Sequence, residues 1–388
     1  MAIPLAYNVR NVFQRPGSTI ATVVGVGCTV AILIAALALA AGFQHALVQT
    51  GSFENAIALR KGADSEISSG VTRDAANIIR SHPEVAVAPD GHPLVSPEVV
   101  VLINKPRLGQ PGSSNVTVRG VDEEAFLLRN RLQMAEGRMF RPGSDEVIIG
   151  QRIARRFQNC GIGDHIRFGQ QAFTVVGHFT AGGTGFESEI WGDNKVLMPV
   201  FRGDVFQSVT FRMRNPYRFD ALKGQLEADP RLGIQLKRER DFYADQSAVL
   251  AGVIRFAGVF ITLIMAVGAV FGAMNTMFAS IGARTREVAT LMVLGFGRLA
   301  IMSSFMIESV ILSLLGGLVG CALALPISGI TTSTTNFSTF SEVAFAFRVT
   351  PGALLAGLVF SVVMGVLGGF LPALQAARRP IATSLREM

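Results

Sequence analysis

Cysteine, histidine and tryptophan are scarce: three, five and one in 388 residues. The three cysteines exclude a disulfide framework. Cys28 and Cys321 fall inside apolar runs, and Cys160 stands without a partner in the polar part of the chain. The histidines (His45, His82, His92, His165, His178) have no metal-ligand spacing. No Gly-Lys dipeptide occurs, so the sequence holds no P-loop to cradle a nucleotide triphosphate, and neither G-x-S-x-G nor H-E-x-x-H occurs. The readings are therefore no catalytic residue, no metal and no cofactor on this chain. Asp164, Glu187 and Glu189, near expected turns, read as solvated loop charges. Low-complexity tracts and fixed-period repeats are also missing.

Long apolar runs are what the chain does have. Thr19 to Ala41 is uncharged, and Phe256 to Ala283, the stretch around Phe305 to Pro326, and Val349 to Ala377 follow some two hundred residues later. A helix needs about 20 apolar residues to cross the hydrocarbon core. The one-then-three order predicts four transmembrane α-helices (1 + 3), with a large extracytoplasmic domain inserted between helices 1 and 2. The first run exceeds the 7–15 residues usual for a signal-peptide core, which favours an uncleaved span.

The net charge of +7 is unevenly placed. Residues 1–18, 284–298 and 378–388 hold eight arginines against two glutamates, whereas residues 43–249 hold 25 Lys/Arg against 24 Asp/Glu. This is a positive-inside signal rather than a nucleic-acid footprint, and no nucleic acid is expected as a partner. Both termini are then cytoplasmic, with residues 43–249 and a shorter loop outside.

These signals divide the chain into a cytoplasmic amphipathic segment (1–17), a first span (18–42), an extracytoplasmic domain (43–249), a second span with a stalk (250–283), a cytoplasmic helix (284–297), a third span (298–326), an outer loop (327–348), a fourth span (349–377) and a tail (378–388). Short β-branched runs at Val85–Val87, Val99–Ile103, Val116–Val121, Glu146–Ile149, Phe173–Phe179 and Ser208–Met213 predict strands. Arg73–Arg80, Asp122–Arg129, Gln151–Gln158 and Tyr217–Ala228 read as helices, which makes the outer domain α+β. Pro and Gly between Pro89 and Gly112 predict a loop or subdomain boundary. Phe186 to Trp191 reads either as a partner-binding loop or as core. From Arg240 the pattern is helical without Pro into the second span, consistent with a stiff stalk.

Between spans two and three lies Ile281-Gly-Ala-Arg-Thr-Arg-Glu-Val-Ala-Thr-Leu-Met-Val-Leu-Gly-Phe296. Val288, Leu291, Met292 and Leu294 recur at helical spacing, with Gly295 at a C-cap position. This stretch resembles the coupling segment of ABC transporter permeases of the MacB/FtsX type (type VII), with the pattern A-R-T-R-E-[IV]-x-x-L-x-x-[LM]-G. Phe305 to Gly320 resembles that family's third span, and Gly368-Gly-Phe-Leu-Pro-Ala-Leu-Gln-Ala-Ala-Arg-Arg-Pro-Ile-Ala-Thr-Ser-Leu-Arg386 resembles its close. Asn8 to Gly17, Glu136-Gly-Arg-Met-Phe140, Val147 to Gly150, Gly163-Asp164 and Phe173 to Gly177 fit as well.

The resemblance implies half of a dimeric permease, paired with a second copy or a paralogue and driven by a separate ABC ATPase that carries ATP and Mg. No Ser-Gly-Gly-Gln ATPase signature occurs here. Arg284, Thr285, Arg286, Glu287, Val288, Leu291, Leu294 and Gly295 would couple to that ATPase, with Ala376 to Met388 as a second contact. A lipid bilayer, the bacterial inner membrane, and a periplasmic adaptor or other extracytoplasmic partner are also implied. The implied activity is mechanotransmission that exports or extracts an amphiphile, peptide or lipoprotein. The alternative is FtsX-like signalling that activates an external enzyme without transport. A membrane-anchored enzyme or receptor without an ATPase would leave the coupling-like helix unexplained.

Glu308 is a charge within a span, costing about 2.5–3.5 kcal/mol at a bilayer centre. It reads as a polar contact to a neighbouring helix or as a proton or substrate site. Gly316, Gly317 and Gly320, with Gly365, Gly368 and Gly369, permit close helix packing within the bundle or across a dimer.

Overall fold

A computed structural model describes residues 16–201 and 203–378. The expected amphipathic segment before Pro16 and the tail beyond Arg378 lie outside the described residues. The described chain divides into two compact units, one comprising residues 16–41, 252–330 and 347–378, the other 42–251 and 331–346.

The first unit is helical. Among the described residues, four helices are long and apolar enough to cross a membrane: α1 (Pro16–Val48), α7 (Glu239–Gly282), α9 (Arg298–Ala324) and α10 (Pro351–Arg378). Short α8 (Thr285–Val293) joins α7 to α9. Pro16 opens α1, where its missing N–H costs nothing. Close packing rests on small residues. A β-carbon at Gly317 would lie 2.4 Å from Ser361 Oγ, and one at Gly365 2.0 Å from Ser313 Oγ. Gly369 abuts Ser309, whose hydroxyl donates to the Gly365 carbonyl at 2.7 Å. Gly316 and Gly320 admit Val26 and Val30 of α1, and Gly368 admits Ala273 of α7. With apolar surface everywhere, such fit supplies the specificity that hydrophobicity cannot.

The second unit is built on a ten-stranded mixed sheet. Its order is β12 (Ile234–Arg238), β1 (Asn55–Arg60), β11 (Ser208–Arg212), β3 (Val95–Pro106), β4 (Ser113–Val121), β9 (Glu189–Asp193), β6 (Glu146–Gly150), β8 (Gln171–Thr180) and β5 (Gln133–Gly137), with β7 (His165–Phe168) also on β8. β4/β9 and β6/β8 are parallel and the other pairs antiparallel. Helices α2 (Arg73–Arg80) and α6 (Phe219–Ala228) cover one part, around Ile79, Phe211 and Leu222. α4 (Gln151–Ala154) and α5 (Asn194–Phe201) flank another, around Phe168, Phe173 and Ile190. Short α3 (Glu124–Leu128) and β2 (Val71–Thr72) with β10 (Val205–Phe206) complete the unit.

Several expectations are corrected. Pro89 to Gly112 is loop only at its two ends, residues 89–94 and 107–112. Twelve-residue β3 runs through it, with Pro97 and Pro106 near its ends, where a missing N–H disturbs the ladder least. Val85–Val87 forms only isolated bridges to Met213 and Pro93. Of Gln151–Gln158 only the first turn is α-helical, because Phe157 folds down into the core. The outer loop 327–348 contains a hairpin, β13 (Thr331–Thr335) and β14 (Glu342–Ala346), that belongs to the sheet unit. Trp191 is fully buried in central β9, so Phe186 to Trp191 is core, not an exposed loop.

Candidate functional site

α7 spans 44 residues without a break; residues 239–251 belong to the sheet unit and 252–282 to the helical unit. Its first turns enter the outer core. Phe242 and Tyr243 pack with Ile57, Phe186 and Trp191. Glu239 is fully buried and accepts hydrogen bonds from Ser52 N at 3.0 Å and Asn55 Nδ2 at 2.9 Å. A β-carbon at Gly51 would lie 2.4 Å from the Glu239 carbonyl oxygen, so only glycine lets the chain leaving α1 cross the start of α7 this closely.

Glu239 also joins a buried ion network. Arg129 is 2.7 Å from Glu98 and 3.5 Å from Glu239. Arg119, 1% exposed, donates to Glu66 at 2.8 and 3.0 Å, to Glu98 at 2.6 Å and to Glu189 at 2.7 and 2.9 Å. Trp191 Nε1 donates to Glu189 and Ser208 Oγ to Glu66. Desolvation pushes the Glu189 and Glu239 carboxyls above the ordinary range, outweighing their arginines. For Glu66, burial acts upward too, but Arg119 and the hydrogen bonds it accepts hold it below. Four carboxylates facing two arginines, drawn from separate elements, lock α7's first turn to β3, β4 and β9. The solvated reading of Glu187 and Glu189 is therefore wrong: Glu187 pairs with Arg152 at 3.0 Å and caps Ala181 N and Gly183 N at 2.8 Å.

The β13–β14 hairpin is anchored similarly. Glu342 pairs with Arg107 at 2.6 Å and Arg156 at 3.3 Å. The Ala344 amide donates to Ser188 Oγ at 3.0 Å, its carbonyl accepts from Arg152, and Phe345 meets Phe43 edge-on at 5.4 Å.

At the other end of α7, the residues singled out from the sequence converge. Arg284, in the turn before α8, is 3.1 Å from Glu308 of α9 and 3.1 Å from Glu287. Its guanidinium lies 5.6 Å from the Phe305 ring centre. Glu308 thus meets a countercharge within the helical unit, as the desolvation cost of a charge among apolar helices requires. Thr285 Oγ1 donates to the Gly282 carbonyl at 2.8 Å, bracing the turn. Val288 is buried with Met277, Ile281 and Phe305, and so serves the fold rather than a partner. Leu291 is half-buried. Gly295 at φ +90° ends α8: its amide reaches the Met292 carbonyl and that of Phe296 the Leu291 carbonyl, a Schellman closure. Outward lie Arg286, Val293 and Leu294 (both 66% exposed) and Leu299 (81%).

The missed residues are those of the network: Glu66, Glu98, Arg119, Arg129 and Glu239 lie far apart in sequence, and no spacing rule connects them.

The chain matches the MacB-like periplasmic core domain over residues 19–229 and the FtsX-like permease C-terminal domain over residues 259–381. It is 27% identical over 391 aligned residues to the macrolide export ATP-binding/permease protein MacB of Agrobacterium fabrum (strain C58), covering 94% of this chain and 58% of that protein. It is 28% identical over 296 residues to the MacB of Bordetella avium (strain 197N), covering 71% and 44%. The chain thus spans about half the length of these relatives. Among solved structures, the periplasmic region of MacB from Actinobacillus actinomycetemcomitans aligns with 13% identity and a TM-score of 0.38, over 50% of this chain and 92% of that one. The extracellular domain of the noncanonic ABC-type transporter YknZ aligns with 14% identity and a TM-score of 0.36, over 47% and 99%. With both domain models matched and, among the described residues, four helices long and apolar enough to cross a membrane, this is a multi-pass membrane protein, and the chain belongs to the MacB/FtsX-like permease family.

Proposed function

We propose that this chain is the permease part of an ATP-driven ABC system in the bacterial inner membrane, with both termini cytoplasmic and residues 43–249 outside. ATP and Mg bind a separate ATPase, and two permease copies, or one and a paralogue, form the working unit. ATP-driven closure of the ATPases moves α8, α7 carries the motion, and the outer domains act on an amphiphile, peptide or lipoprotein.

One observation carries this reading: α7 runs unbroken from a turn ion-paired to α9 to a first turn fixed by a buried charge network. A flexible linker would be rich in Gly, Ser or Pro; residues 239–251 contain no Gly or Pro and one Ser. The exposed Val293, Leu294 and Leu299 supply a surface for the ATPase.

Co-expression of the chain with any ABC ATPase encoded beside it tests this. Leu294→Asp should abolish co-purification or permease-stimulated ATP hydrolysis, while the variant still inserts and folds. Full stimulation by Leu294→Asp would remove α8 as the contact. Absence of any associated ATPase would overturn the reading altogether. Stimulation accompanied by activation of an external hydrolase, with no export, would assign the motion to signalling.

A further inference from the structure

The sheet unit holds a cavity of about 300 Å³ at the end of α1 and the start of α7. Its walls are the chain leaving α1 (residues 48–54), the loops 128–132 and 181–186, Arg212, and the first two residues of α7. This volume is at the lower end for small-molecule sites.

The charges lining it do not balance. Two carboxylates and four arginines face the cavity. Glu239 shares Arg129 with the buried Glu98, at 3.5 and 2.7 Å, and Glu54 pairs with Arg212 at 3.8 Å. Arg131 and Arg240 remain. Among the described residues, Arg131 donates to the carbonyl and amide oxygens of Gln49, both neutral, and neither arginine has a carboxylate within ion-pair distance. Both are exposed at the rim. Phe53, Leu132 and Phe186 supply apolar wall. The Arg129 guanidinium lies over the Phe186 ring, 4.6 Å from its centre.

We propose that this cavity binds a small amphiphilic anion: a phosphate or carboxylate head met by Arg131 and Arg240, on an apolar body lying against Phe53, Leu132 and Phe186. Guanidinium groups suit such heads because they donate two parallel hydrogen bonds to planar or tetrahedral oxyanions. Bound there, the ligand touches the end of α1 and the start of α7 together. Its occupancy stiffens the junction from which α7 departs.

The chain contains its own reporter. Trp191 is the only tryptophan, and its ring lies 5.2 Å from that of Phe186. The full chain in a neutral detergent is titrated with phenyl phosphate, inorganic phosphate and benzyltrimethylammonium, using calorimetry for affinity and Trp191 emission for location. Phenyl phosphate should bind saturably and shift the emission, and inorganic phosphate should bind more weakly. The cation should not bind. Arg131→Glu with Arg240→Glu should weaken phenyl phosphate at least about tenfold. Arg131→Lys with Arg240→Lys should retain most of the affinity, and unchanged circular dichroism of both variants separates lost binding from lost folding. Absent or non-saturable binding, equal binding of the cation, equal affinity for inorganic phosphate, or indifference to charge reversal would each overturn the proposal. Binding is read on this chain alone, so the outcome is separate from any coupling to ATP.

Discussion

Individual residues decide how firmly the root of α7 is held. Arg119 faces three carboxylates in a site closed to water. Removing one partner of a buried ion cluster leaves uncompensated charge, at a cost of about 3–5 kcal/mol. The carboxylates are not equivalent. Glu66 is held below its ordinary value of 4.5, so its contribution is present above that value and is lost as pH falls through the folded-state value. Glu189 and Glu239 are raised by desolvation, so their contribution is present below the ordinary value of 4.5 and is lost as pH rises through their folded values. At pH 7, Glu66→Gln should therefore lower the melting temperature more than Glu189→Gln, and the gap should narrow as pH is lowered towards 4. Thermal melts of the two variants from pH 4 to pH 8 check this; a gap that widens on acidification would contradict the assignment. None of this was legible in the sequence. Glu66, Glu98, Arg119, Arg129, Glu189 and Glu239 come from six separate segments, and each on its own looks like an ordinary surface charge. Only the sheet order brings them together.

Among elements, α8 and α9 are tied by Arg284 and Glu308. If that pair sets the angle of α8, Arg284→Glu or Glu308→Arg alone should lower ATP-dependent coupling, and the double swap should restore part of it. ATP hydrolysis with and without the permease, on equally assembled complexes, measures the effect. A double swap no better than the worse single variant would make the contact incidental. The elements differed in how plainly the sequence announced them. The long helices were readable because a bilayer demands about twenty apolar residues in a row. α8 was readable from its period and its terminal glycine. β1, β5, β7, β9 and β12 were not, since strands of only four to six residues are too short to carry a lasting alternation. The β13–β14 hairpin was hidden because Thr331–Thr335 is polar throughout; its anchoring falls to Glu342 and Phe345, whose partners are more than a hundred residues away.

Across the whole molecule, the order of elements matters more than any single site. The first helix and the last three enclose a sheet domain inserted between them, and only α1, α7 and the segment carrying the hairpin connect the two units. Of the four long helices, α7 is the least covered: 17% of its most apolar stretch is buried. Phe256, Phe260, Ile264 and Phe271 stand exposed along it, leaving a broad apolar face for lipid or a second copy. On the function proposed above, α7 carries force, no channel is needed through each copy, and the outer domains of two copies move when ATP is used.

That motion can be measured directly. Tyr217, 87% exposed on the outer domain, is replaced by Cys in a background with Cys28, Cys160 and Cys321 changed to Ser, and spin-labelled in the assembled complex with its ATPase. Pulsed electron–electron distances between the two copies are compared without nucleotide, with ATP trapped by vanadate, and again after inserting Gly-Gly-Pro behind Leu250 to break α7. The expected result is a distance distribution that shifts with trapped ATP in the intact protein and does not shift in the interrupted one, although both hydrolyse ATP. A distribution unmoved by ATP, or one that moves equally after α7 is broken, would contradict force transmission through this helix.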